Sequence, residues 1–158
     1  MKTIAINIYS FDELNEEAKE NARNWFRRGF DFAWSDESLH SIKAFCAEFN
    51  ITLKDWSVNP YESPSIETNA ENSHFRGRNL KAFKRDSMPT GYCLDCDLYA
   101  TFFDVFKSTG DAKQAFTDAI WQAAVSWRNE LEYQLSEESI DDALRVNEYE
   151  FLESGDIA

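Results

Sequence analysis

Cysteine, glycine, proline and histidine are all scarce in this chain, and each scarcity removes a class of protein. Three cysteines among 158 residues are an odd number and build no disulfide framework, so a reducing compartment is the simpler setting. With five glycines and three prolines, the sequence contains no glycine-rich phosphate loop, no DxDxDG loop, no nucleophile elbow, no repeat and no low-complexity linker. The histidines are only His40 and His74, and no spacing around them selects a Ser/His/Asp or Cys/His set. Nothing approaches the roughly 18 apolar residues of a membrane span. The first ten residues, MKTIAINIYS, lack the long apolar stretch and cleavage site of a secretion signal. Positive charge is scarce as well: 16 Lys and Arg stand against 29 Asp and Glu, a net charge of −13. Such a chain is repelled by nucleic acid and by anionic membranes, and it favours a basic partner with salt-sensitive association.

Apolar and aromatic residues, by contrast, are plentiful, at 43% and 15%. An acidic disordered tail has few aromatics, so the charge must be displayed on a folded body. The length suits a single domain over residues 1–158, and with no catalytic motif or secretion signal the expectation is a cytoplasmic protein without a cofactor or enzymatic activity.

The periodicities give an α+β expectation, a small antiparallel sheet with several helices on one face. Residues 4–9 alternate as a half-buried strand. Ser10 with Glu13, then Asn15 before Glu16 and Glu17, are helix-start signals, and Leu14, Ala18, Ala22, Trp25 and Gly29 form the stripe of the helix that follows. Ser35 is placed to cap a second helix, residues 36–50. In ITLKDWSV the apolar parity changes, which asks for a bulge near Lys54 and Asp55 in a strand, and a short strand is expected at residues 65–69. Leu80 and Phe83 lie on a short helix within the one basic cluster, Arg76, Arg78, Lys81, Lys84 and Arg85. The alternation of Leu94, Cys96, Leu98, Ala100 and Phe102 against Asp95, Asp97, Tyr99 and Thr101 predicts the clearest strand. A long helix at residues 112–135, a short helix after Ser136 and a strand within residues 148–152 complete the chain.

Three constellations invite chemistry. Cys93 and Cys96 have CxxC spacing, but on a strand residues three apart face opposite ways, which reads them as structural or incidental. Asp95 and Asp97 share a strand face and could begin a magnesium site for a metal-dependent hydrolase, or simply be solvated. The basic cluster, interleaved with Phe75 and Phe83, could touch phosphate, against the overall charge. More specific is the acidic end. Residues 128–156 hold ten carboxylates and two arginines. In the last helix Glu137 and Asp141, and Glu138 and Asp142, are like-charged pairs four residues apart, an arrangement that folding alone does not ask for. Such rows space negative charge on the scale of nucleic-acid phosphates. Glu137, Glu138, Asp141 and Asp142, with Glu130, are the candidate contacts for a basic partner.

Both ends also carry a resemblance. YSFDELNEEAKENARNWFRRG at residues 9–29 and ELEYQLSEESIDDALRVNEYEFLESG at residues 130–155 resemble the two ends of a family of small acidic bacteriophage and prophage proteins. That family opens with YxFDELSxEAK and closes with ANEYEFxEDG. Here Asn15 stands for the usual Ser, Gln134 for an aromatic and Leu152 for a Thr. The resemblance implies a phage origin, a host cytoplasm and an antitoxin-like or anti-defence role against a toxin, a restriction enzyme or a CRISPR effector. It implies no catalytic residue set.

Overall fold

The structure is a computed structural model describing residues 1–158. It is an α+β protein with five α-helices and two small antiparallel sheets. Two compact units organise the chain: residues 1–32 with 132–158, and residues 33–131.

The first unit joins the two ends of the sequence. Strand β1 (Tyr9–Ser10) pairs antiparallel with β4 (Glu150–Phe151), Tyr9 opposite Phe151. A 3-10 turn, Phe11–Glu13, follows, and the Glu13 carboxylate accepts the Ser10 N–H and hydroxyl, both at 2.8 Å. Helix α1 (Glu16–Arg28) starts at Asn15, whose side chain accepts the Ala18 N–H at 2.9 Å. Helix α5 (Glu137–Val146) starts at Ser136. Phe11, Leu14, Ala18, Ala22, Ile140, Leu144 and Phe151 form the core, flanked by Tyr9, Trp25, Phe26 and Tyr149. Gly155, at φ +88°, lies so close to α1 that a Cβ there would come within 2.0 Å of the Ala18 carbonyl oxygen. Only glycine fits both the dihedral and the space.

The second unit holds α2 (Ser35–Glu48), β2 (Leu53–Ser57), β3 (Ser65–Thr68), α3 (Leu94–Thr109) and most of α4 (Ala112–Gln134). Its core is aromatic. Phe45 stacks on Phe116 at 5.5 Å and meets Tyr99 edge-on at 5.2 Å, and Phe49 lies 5.1 Å from Phe102. The expected bulge is present: Leu53 faces Thr68 and Asp55 faces Glu67, so Lys54 is the extra residue.

Three expectations are corrected. Residues 94–102 are helix, not strand. The residues buried there are Leu94, Asp95, Leu98, Tyr99 and Phe102, the helical spacing of three and four, and a period of four contains every second member of an alternating pattern. At the N-terminus only Tyr9 and Ser10 are strand, and residues 1–8 are exposed. Beyond Phe151 the chain turns back, with Leu152 N–H bonded to Asp156 O at 2.8 Å, so no strand continues alongside residues 4–8. Finally, α2 begins with Ser35 already helical. The position before it is Trp34, at φ +68°, and Ser38 Oγ donates to the Trp34 carbonyl at 2.9 Å.

Candidate functional site

Helix α5 is built to present one face and bury the other. Ser136 Oγ accepts the Ser139 N–H at 3.2 Å, and Glu137 and Glu138 occupy the first turn, where the helix dipole favours negative charge. Ile140 and Leu144, both fully buried, anchor the inner side. Rotation by about 100° per residue sets Glu138 and Asp142 opposite the Ile140–Leu144 stripe, and Glu137, nearer that stripe, is exposed at the start of the helix. Glu137, Glu138 and Asp142 are exposed, whereas Asp141 is turned toward α1 and is only partly accessible.

Asp141 makes a two-pronged ion pair with Arg23, itself buried: Nε to Oδ1 at 2.7 Å and Nη2 to Oδ2 at 2.8 Å. This fork geometry is the strong form of the carboxylate–guanidinium contact. Hydrogen bonding to Arg23 holds the Asp141 carboxyl below the usual carboxylate range, against an opposing effect of burial. The network extends to Glu20, 3.4 Å from Arg23 Nη1 and 2.8 Å from Arg27 Nη1, and the Arg27 hydrogen bond lowers the Glu20 pKa. Asp141 is thus committed to joining α1 to α5. Arg145 makes a second cross-link, with Nε 2.8 Å from Asp12 and Nη1 3.3 Å from Asp142. Glu130 is exposed on α4 within the second unit.

Around this face the unit is strongly acidic. It has 15 acidic and 6 basic residues, a net charge of −9 out of −13. Four of the six bases are engaged: Lys19 with Glu16, Arg23 with Asp141, Arg27 with Glu20, and Arg145 with Asp12. Glu17, Glu148, Glu150 and Glu153 add exposed acid to that of Glu137, Glu138 and Asp142. The contribution of residues 12–17 to this surface was not apparent from the sequence, because it depends on both chain ends folding together.

The other constellations resolve into structure. Asp95 is fully buried and its carboxylate accepts the Thr90 N–H at 2.9 Å, the Gly91 N–H at 3.1 Å and the Thr90 hydroxyl. It fastens the turn that leads into α3, and Thr90 Oγ1 in turn lies 2.9 Å from Ser41 Oγ. Two residues apart on a helix, Asp95 and Asp97 point in diverging directions rather than sharing a face. Cys93 and Cys96 are exposed free thiols. On a helix their spacing puts them on neighbouring sides, which corrects the divergence expected from a strand, but no group of three His, Cys, Asp or Glu side chains converges there or elsewhere. Within the basic cluster, Arg78 donates to the carbonyls of His74 at 2.7 Å and Glu48 at 2.9 Å, and Arg85 forks onto Asp104 at 2.9 and 3.0 Å. These two arginines serve the fold, and Arg76, Lys81 and Lys84 stay exposed.

No protein-family model, curated protein or solved structure matches the chain. No helix is long and apolar enough to cross a membrane.

Proposed function

We propose that this is a non-enzymatic acidic protein of phage or prophage origin that acts in the host cytoplasm, where it binds and inhibits a basic nucleic-acid-handling protein of a defence or toxin system. The observation that carries the reading is the distribution of charge: −9 lies on one small unit whose bases are mostly spent internally. Glu138 and Asp142 lie one turn apart on the outer face of a helix anchored by Ile140, Leu144 and the Arg23–Asp141 pair, and Glu137 adds an exposed carboxylate at its first turn. A cationic groove that holds a phosphodiester backbone would accept such a row, with steering that weakens as salt screens the charges. The resemblance of residues 9–29 and 130–155 to small acidic phage proteins supports the same reading.

Affinity capture at low salt from a bacterial lysate tests it, comparing the wild-type protein with Glu137→Gln/Glu138→Gln/Asp142→Asn. The wild type is expected to retain basic nucleic-acid-binding proteins that added duplex DNA or RNA displaces, and the triple variant to lose them. Equal retention by both proteins, undisturbed by nucleic acid, argues against mimicry.

The antitoxin-like alternative draws on a separate observation, the exposed aromatic side chains Trp34, Trp121 and Tyr61 of the second unit. Trp121 borders a groove shared with Ile66, Phe116 and Ile120. If this face makes the contact, Trp121→Ala abolishes capture and the acid variants do not.

A further inference from the structure

Residues 1–8 carry a feature that neither the fold nor the charge uses. Ile4, Ile6 and Ile8 are 82%, 65% and 53% exposed, at alternate positions leading directly into β1. Single exposed isoleucines are ordinary, but three at alternate positions share one side once the segment is extended as a strand, and then form an apolar stripe. β1 carries β4 on one edge and no strand on the other. Edges of this kind recruit a further strand, because their N–H and C=O groups are unpaired.

The order of the residues says which strand fits. Ile4-Ala5-Ile6-Asn7-Ile8 reads nearly the same in both directions about Ile6. In an antiparallel pair centred there, Ile4 lies opposite Ile8, Ile6 opposite its own copy, and Ala5 opposite Asn7. All six isoleucines then share one face, because side chains alternate with a period of two. A self-complementary segment of this kind makes the isologous contact of a twofold dimer. The same register sets Lys2 of one copy opposite Ser10 of the other, where β1 leads into the acidic 3-10 turn Phe11–Glu13.

We infer that two copies of this chain associate by antiparallel pairing of residues 4–8 about Ile6. The acidic first units repel one another, so this association strengthens as salt is added, the reverse of binding to a basic partner.

Sedimentation velocity over a range of concentration and salt, combined with cysteine trapping, tests both the association and its register. The trapping uses the full chain with Cys93→Ser and Cys96→Ser, leaving only the buried Cys46. Ile6→Cys places two thiols across the twofold axis. Asn7→Cys places them on the other face and offset by two residues, beyond disulfide reach, so Ile6→Cys is expected to give roughly tenfold more covalent dimer under mild oxidation. The wild type is expected to sediment increasingly as a dimer with concentration and with salt. Ile6→Lys, at a site open to solvent and so without effect on thermal unfolding of the monomer, is expected to remain monomeric. A wild type that is monomeric under every condition would overturn the proposal and leave the stripe for a strand from another protein. Equal trapping of the two cysteine variants would overturn it too.

Discussion

Arg23 and Asp141 are 118 positions apart in sequence, yet their two short hydrogen bonds make them the polar centre of the first unit. Removing one partner leaves the other charge partly buried and unpaired, so Asp141→Asn or Arg23→Met is expected to lower stability by about 2–3 kcal/mol. Replacing both together should cost less than the sum of the single changes, and urea unfolding of the four proteins measures this directly. Gly155 is the second decisive residue. Alanine there meets the Ala18 carbonyl and must also hold a left-handed dihedral, so Gly155→Ala is expected to cost about 3 kcal/mol or more, readable as a fall in the urea midpoint. The sequence showed that residues 137–142 are acidic but not which acid faces inward. That choice depends on the rotation of α5 about Ile140 and Leu144 and on an arginine at the far end of the chain. Likewise the burial of Asp95 could be seen only once residues 94–109 were known to be a helix with Thr90 and Gly91 folded over its start.

Elements were legible where a capping residue and a periodic stripe agreed. Asn15 and Ser136 begin α1 and α5 as expected, and the parity change in ITLKDWSV marks a real bulge at Lys54. Ser136→Ala removes the acceptor for the Ser139 N–H and is expected to destabilise the first unit by about 1 kcal/mol, with Ser136→Asp close to neutral in the same thermal melts. Legibility failed where two periods coincided. Leu94, Leu98 and Phe102 fit both a strand and a helix, and the residue that decides is Tyr99, fully buried though an alternating strand would expose it. The opposite failure occurs at residues 4–8, where the alternation is strand-like but no partner strand lies alongside. A strand needs a neighbour as well as a pattern.

For the molecule as a whole, composition foretold an acidic folded body, but not that residues 1–32 and 132–158 make a unit of their own. No linker marks the division, because the second passage of the chain lies within α4. The charge of that unit governs its response to pH. Asp141 and Glu20 have folded pKa values below their ordinary 3.8 and 4.5. A depressed carboxyl contributes stability above its unfolded value and loses it as pH falls through the folded one. Melts from pH 7 downward should therefore show a steady gap between wild type and Asp141→Asn, which closes only below pH 3.8. A gap that closed near neutrality would show that the pair is not what joins the helices. The exposed acids Glu137, Glu138 and Asp142 carry the proposed function, and the salt dependence of a captured partner's affinity tests them most directly. For the wild type Kd is expected to rise steeply with salt, and Glu137→Gln/Glu138→Gln/Asp142→Asn is expected to bind at least about tenfold more weakly at low salt, a loss of about 1.4 kcal/mol, with a shallower slope. Equal affinity and equal slope for the two proteins would contradict it.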